Sequence, residues 1–352
     1  MRVLIVKTSS LGDVIHTLPA LTDAMRCIPN LEVDWVVEEG LAEIPAWHPA
    51  VKQIIPIALR RWRKSWRKAW SSGEIKSCIQ QLKQTPYDKV IDAQGLWKSA
   101  LVAVWAQGER IGLNQQSAKE KGLSFFYEKT VNVPKGQHAV ERVRQLFAGA
   151  LGYSLSDLDI DYGLNFAQAD LSNGQSQQLN QPNDYLVFLH STAWETKKWP
   201  VRYWRELCQH AAQGNFQVKL PWGSEEERQT ALQIADGYSH VSVLSRMTLS
   251  QMRVCLQGAK GVVAVDTGLG HLSAALAVPC VSMYGPTNPV LTSTYGKNQQ
   301  HLHADFHCAP CLSRRCQYSA DDTLVLWPRC FTTVQPDMVW STLDRLMCGV
   351  PS

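Results

Sequence analysis

Short runs rich in Val and Ile alternate along the chain with longer stretches whose apolar residues recur at helical spacing, the pattern of parallel strands covered by helices. In the first half, residues 3–6, 33–37, 53–57 and 89–92 predict strands, most of them followed by a helix. The pattern then restarts, with residues 185–190, 217–220, 241–244, 261–265 and 280–284 as a second set. Between the sets, residues 165–183 are rich in Gln, Asn, Ser and Asp and poor in apolar residues, which reads as a linker. The fold class is therefore α/β, with one domain over 1–165, a linker over 166–183 and a second domain over 184–334.

The composition supports two packed cores: 45% of the 352 residues are hydrophobic and 19% charged, so the chain is neither disordered nor low-complexity. Thirty-five Lys and Arg against 31 Asp and Glu leave a net charge of +4, which argues against a dedicated nucleic-acid coat protein. The apolar run 3–6 before Lys7 is too short for a signal-peptide core, and no stretch of 18 apolar residues occurs. The expected compartment is the cytosol, where the ten scattered cysteines are reduced thiols.

Neither half carries GxGxxG, so an ordinary dinucleotide dehydrogenase is not supported. Both halves do carry a strand, a glycine turn and a helix, which aim backbone N–H groups and the positive end of a helix at whatever lies beyond the strand. Two such junctions facing each other across a cleft suit an anionic donor on one side and an acceptor on the other. In the second, DTGLGH, Asp266 follows a buried strand, Thr267, Gly268 and Leu269 offer N–H groups and a hydroxyl to a phosphate, and His271 is a further donor. The alternative is a helix capped by Asp266 or Thr267 with a buried histidine. Upstream, HSTAWETKKWP places Lys197 and Lys198 where a lysine can neutralise a diphosphate leaving group without a metal; otherwise they are solvated charges. The first junction, KTSSLGD, ends at Asp13, a carboxylate able to take a proton from an attacking hydroxyl, or else an N-cap.

Two further segments stand apart. RRWRKSWRKAW, residues 60–70, holds six cations and Trp62, Trp66 and Trp70 at intervals of four, which on one helix make a single indole stripe. That stripe suits an anionic membrane or ligand, or else faces the core; nucleic acid is disfavoured because no second basic and aromatic element accompanies it. Cys308, Cys311, Cys316 and Cys330 read C-x2-C-x4-C-x13-C, which is not the spacing of the common zinc pairs, so packed reduced thiols are expected and no metal. DLDID at 157–161 looks like a metal-binding DxD but is discounted for its distance in sequence from the phosphate junction.

The segments VLIVKTSSLGDVIHTLPAL, VDWVVEEGLAEIPAWHPAV with RRWRKSW, VIDAQGLWKSA, QHAVERVR and DTGLGHLSAALAVPCVSMYGPT together resemble the lipopolysaccharide heptosyltransferases of glycosyltransferase family 9, inverting enzymes of the GT-B type. The resemblance runs over nearly the whole chain. It implies metal-independent transfer, without a cofactor, of L-glycero-D-manno-heptose from ADP-heptose to the Kdo of Kdo2-lipid A. By motif it makes Asp13 the general base, and Ser191, Thr192, Lys197, Asp266, Thr267, Gly268, Leu269 and His271 the donor site. One of the glutamates 225–227 would hold the ribose, with Glu225 and Glu227 the candidates. Ser10, Gly12, Arg60, Arg61, Arg63, Lys98 and Lys119 would meet the anionic acceptor.

The same resemblance implies a monomer attached to the anionic cytoplasmic face of the inner membrane, and a last helix, within 335–352, that packs back on the first domain. Two features depart from it. Lys119 stands where the family tends to carry an arginine, and a lysine lacks the bidentate fork. RRWRKSW points to the branch that adds the first heptose, whereas the CAPCLSRRC loop looks like members that add a later one. The rival from another class is a nonenzymatic protein that binds anionic surfaces through residues 60–70.

Overall fold

The computed structural model describes residues 1–155, 158–166, 185–318 and 326–349. The chain divides into two compact units, 1–166 and 167–352. Each unit is a six-stranded sheet in which every strand pair is parallel. The expected linker falls almost wholly outside the described residues. Its first residues belong to the first unit: Asn165 N–H donates to Trp47 O (3.0 Å) and the Phe166 ring packs on Trp47.

The first sheet comprises β1 (Arg2–Val6), β2 (Glu32–Glu38), β3 (Val51–Ile57), β4 (Pro86–Asp92), β5 (Gln107–Leu113) and β6 (Lys129–Val131) in the order β3-β2-β1-β4-β5-β6. The second comprises β7 (Tyr185–Leu189), β8 (Gln217–Leu220), β9 (Val241–Val243), β10 (Gly261–Val265), β11 (Cys280–Tyr284) and β12 (Gln299–His303) in the order β12-β11-β10-β7-β8-β9. The nine expected strands are all present, three of them with the expected bounds. β5, β6 and β12 escaped the sequence reading because Gln107, Glu109 and Arg110, or the run QQHLH, dilute the apolar signal at or near a sheet edge.

In each sheet the order reverses direction once, between β1 and β4 and between β7 and β10, and a crevice outside the strand ends at such a point is where open parallel sheets bind ligands. Of the strands there, β7 and β10 are buried throughout, as parallel strands covered on both faces must be. The helices Leu59–Lys64, Trp66–Ser71, Glu74–Gln84 and Trp97–Trp105 share one core with Leu4, Val6 and Ile55, so they cover the same face of the first sheet.

The last helix, Pro336–Met347, packs in the second unit. Val339 and Leu343 are fully buried in the core of the second unit, where the helix lies against Val201–Gln213 and strands β10 to β12. Gly261 permits this approach, since a Cβ there would lie 2.9 Å from Met347 Sδ and 3.0 Å from Leu343 Cδ1.

Candidate functional site

The switch point of the first unit is formed by the loops after β1 and β4. Lys7, immediately beyond β1, is buried and donates to Ala93 O (2.8 Å) in the loop after β4. Gln94 Oε1 accepts from the backbone N–H groups of Thr8 and Ser9 (3.1 Å each), and Lys98 Nζ donates to Ser9 Oγ (3.0 Å). Asp92, fully buried, shapes this second loop: it accepts from the N–H groups of Gln94 and Gly95, from Ser99 Oγ and from Tyr127 OH. KTSSLGD and DAQGLWK are thus one structure, held by main-chain and side-chain bonds at the strand ends.

Asp13 is the carboxylate of this loop pair. It is not the N-cap that the sequence allowed; Ser10 takes that position and Asp13 stands at N3 of the helix Leu11–Ile15, accepting from Ser10 N–H and Ser10 Oγ (2.7 Å each). Burial pushes the Asp13 pKa up, but the Lys7 ammonium, the two Ser10 hydrogen bonds and the charge of Lys119 outweigh it, so the carboxyl lies below its ordinary range. Burial in turn lowers the Lys7 pKa, with Asp13 opposing. Lys119 and Arg142 also act on Lys7, and Arg142 Nη2 donates to Ser117 O (2.7 Å). An ionised carboxylate among cations is able to take a proton from a hydroxyl on an anionic ligand. Lys7, Gln94 and Arg142 were not singled out from the sequence; a lysine directly after the buried strand was the available signal.

The basic segment departs from expectation in shape. It forms two short helices, Leu59–Lys64 and Trp66–Ser71, broken at Ser65 (φ −145°, ψ 51°), so the three tryptophans make no common stripe. Trp62 is 6% exposed and packs in the core, whereas Trp66 and Trp70 are 62% and 50% exposed. Each outward indole carries a cation, Arg67 over Trp66 and Lys76 over Trp70, both at 5.6 Å from the ring centroid. Arg60 and Arg63 are exposed. Arg61 instead holds Glu39 (3.1 Å) and Glu74 (2.5 Å), an engagement invisible in sequence because Glu39 belongs to another element.

The switch point of the second unit joins the loops after β7 and β10. Thr192 Oγ1 donates to Asp266 O (3.0 Å), tying the loops together, and the Ser191 hydroxyl is buried without a protein partner. Asp266 Oδ2 receives Lys197 Nζ (2.7 Å) and Thr287 Oγ1 (2.7 Å). The N-cap of the helix Gly268–Ala275 is Thr267, whose side chain makes no capping bond, so the first N–H groups at Gly268 and Leu269 are left to a ligand. His271 is buried in the first turn. Gly270 lets the helix lie close to the sheet, since a Cβ there would meet that of Ala264 at 3.3 Å.

Of the two lysines, Lys197 belongs to this site. It lies over the Trp194 ring (4.6 Å), which Arg314 also covers (5.0 Å). Lys198 is turned to Glu195 (2.7 Å) and Glu226 (2.9 Å). Trp199, next in sequence, is 2% exposed and donates to Val334 O (3.0 Å), which anchors the turn. Among the ribose candidates, Glu227 Oε2 accepts from the N–H groups of Gly223 and Ser224 in a capping box, and Glu225 is exposed and paired with Arg228 (3.0 Å). Trp194, Thr287 and Arg314 went unnoticed in sequence; Thr287 follows a glycine-proline turn after a buried strand, which was its one hint.

Cys308, Cys311, Cys316 and Cys330 line one cavity of about 180 Å³ beside Thr196, whose hydroxyl donates to Ser313 O (2.7 Å). Burial pushes the Cys330 thiol up to about 12, with the other three thiols adding to the shift. Among the described residues no three His, Cys, Asp or Glu side chains are grouped as an ion would require. Asp159 and Asp161 of DLDID are described; Asp161 pairs with Arg26. No helix among the described residues is long and apolar enough to cross a membrane.

The model of glycosyltransferase family 9 (heptosyltransferase) matches residues 75–320. Lipopolysaccharide heptosyltransferase 1 of Pseudomonas aeruginosa is 51% identical over 99% of this chain and 98% of its own. The protein of the same name from Escherichia coli K12 is 50% identical over 86% of this chain and 94% of its own. Among solved structures, the E. coli heptosyltransferase WaaC with ADP superposes with a TM-score of 0.83 at 43% identity, covering 98% of this chain and all of the other. Two parallel sheets, the strand-turn-helix junction at DTGLGH and these relatives agree: the chain belongs to glycosyltransferase family 9, the heptosyltransferases, with their GT-B type of fold.

Proposed function

We propose that the protein transfers L-glycero-D-manno-heptose from ADP-heptose to the Kdo of Kdo2-lipid A, with inversion and without a metal. The observation that carries this reading is the pair of unlike switch points: an ionised carboxylate among cations in one unit, and a lysine beside an uncapped helix start in the other. A relative of matching length is named lipopolysaccharide heptosyltransferase 1, and another was solved with ADP-2-deoxy-2-fluoro heptose.

In the proposed step the acceptor oxygen attacks the anomeric carbon of the heptose as the bond to the β-phosphate oxygen breaks. The bonding pair leaves with ADP, and the acceptor proton passes to the Asp13 carboxylate. Lys197 and the N–H groups of Gly268 and Leu269 neutralise the charge that grows on the diphosphate, with the buried Ser191 hydroxyl a further contact. Lys98, Lys119, Arg60 and Arg63 hold the anionic acceptor. The protein works as a monomer on the anionic cytoplasmic face of the inner membrane, with residues 60–70 as its electrostatic contact.

The test is purified protein with ADP-heptose and Kdo2-lipid A, in the presence of EDTA. The expected result is release of ADP and a product heavier by one heptose; vesicle binding with no ADP release overturns the enzyme reading. The CAPCLSRRC sequence favours a second reading, transfer to a later acceptor, because that loop looks like the members which add later heptoses. Turnover of the heptosylated acceptor but not of Kdo2-lipid A would decide for it.

A further inference from the structure

Apart from Met1, the large hydrophobic side chains exposed in the first unit among the described residues are Trp66, Trp70, Trp97, Leu101, Val104 and Phe125, all in one stretch of chain. The helix Trp97–Trp105 buries Ser99, Ala100, Val102 and Ala103, and turns Trp97, Leu101 and Val104 outward at spacings of four and three, one continuous apolar stripe 39–50% exposed. A one-turn helix, Leu123–Phe126, extends the stripe. Leu123 is buried against Ala100, and the Phe126 ring meets Trp97 edge-on (5.4 Å). These contacts leave Phe125 90% exposed on a turn fixed from beneath. A phenylalanine so displayed costs solubility unless something covers it.

The charges around the stripe indicate what covers it. Lys98 lies on the same helix, Lys121 on the adjoining turn, and both are exposed. Glu120, the acid between Lys119 and Lys121, spends its carboxylate on Trp97 N–H (2.6 Å). The helix Glu74–Gln84 touches both this helix and Trp66–Ser71, so the indole pair Trp66 and Trp70, each with a cation over its ring, belongs to the same helical layer. Between Leu59 and Gln84 eight cations stand against one acid, Glu74. Apolar side chains bordered by cations match the boundary between acyl chains and anionic headgroups.

We propose that Trp97, Leu101, Val104 and Phe125 form an insertion surface that seats in the acyl region of an anionic bilayer, while the 60–70 segment meets the headgroups. The placement has a consequence for the reaction. Lys98 follows Trp97 directly and reaches Ser9 in the loop of Asp13, so the inserted stripe begins one residue from the acceptor site. A lipid-anchored acceptor can then present its sugar to Asp13 without leaving the membrane. This inference rests on the reading above that the acceptor is a membrane lipid.

The experiment uses the full chain and two variants, L101Q/V104Q and F125E, in sedimentation with vesicles of phosphatidylglycerol and phosphatidylcholine. The expected result is at least tenfold weaker partition for both variants, and transfer to O-deacylated, water-soluble acceptor within twofold of the parent. Partition equal to the parent, or parental binding that 0.5 M salt abolishes completely, assigns docking to the basic segment alone and overturns the proposal. A concentration-dependent dimer that the variants dissolve, with partition unchanged, overturns it in favour of a second copy. Because partition is read without ADP-heptose, failure of the transfer reading leaves this result legible.

Discussion

The two units build the same sheet order around a switch point and fill it with opposite logic. In the first, a carboxylate stands among cations: Lys7 and Lys119 hold Asp13 ionised, and Ser10 fixes its orientation. In the second, a cation is paired with a carboxylate: Asp266 receives Lys197 at 2.7 Å and is itself steadied by Thr287. On the proposed function, the contrast follows from what each unit would do. A proton acceptor needs a negative charge at a fixed place, whereas a departing diphosphate needs positive charge that is already in position when the bond breaks.

The largest expected effect breaks the first half of this contrast. Asp13→Asn keeps a side-chain oxygen for Ser10 N–H and removes the base, so kcat should fall about 10²- to 10⁴-fold while the KM for ADP-heptose stays near the parent. Activity kept within about threefold, a barrier change below ~1 kcal/mol, would remove Asp13 as base.

In the second unit the two neighbouring lysines are a built-in control. Lys197→Met should lower kcat by about 10²-fold, on the scale of losing one preorganised donor. Lys198→Met should change it by less than about threefold, because Lys198 is turned to Glu195 and Glu226 rather than to Asp266. Equal losses in the two variants would mean that the lysine beside Asp266 is not the one that meets phosphate. Steady-state rates with saturating acceptor are sufficient.

How far the sequence went depended on whether the chemistry was local. DTGLGH and KTSSLGD each hold a strand end, a turn and a helix start within a few residues, and both stand at the predicted junctions. What was not legible came from across the sheet: Gln94 under Thr8 and Ser9, Thr287 on Asp266, Arg61 claimed by Glu39 and Glu74. The indole spacing in residues 60–70 fitted one helix, yet Ser65 interrupts it and sends Trp62 inward. Periodicity reports which spacing is possible, while packing decides where a helix ends.

The pH profile sharpens the role of Lys7. Asp13 must be ionised to accept a proton, and its pKa lies below the ordinary carboxylate range, so the acid limb of kcat should lie below that range too. Lys7→Met removes the largest favourable charge on Asp13. The carboxyl pKa then rises, and the acid limb moves to higher pH, with activity at neutral pH changed by only about threefold or less. A variant whose limb stays in place would show that Lys7 acts through its bond to Ala93 O, as part of the scaffold.

The smallest effect lies in the basic segment, where chemically identical side chains have different duties. Arg63 is exposed, and Arg63→Ala should raise the acceptor KM about three- to tenfold, a loss that shrinks as salt is added. Arg61 spends its guanidinium on Glu39 and Glu74, so Arg61→Ala should alter the acceptor KM by less than about twofold. It should instead loosen the helix pair, seen as faster proteolysis within residues 59–71. If Arg61→Ala raised the acceptor KM as much as Arg63→Ala, the acceptor would have to displace both glutamates on binding. The first unit's charge pattern would then describe a resting arrangement, and the contrast with the preformed Lys197 to Asp266 pair would be stronger still.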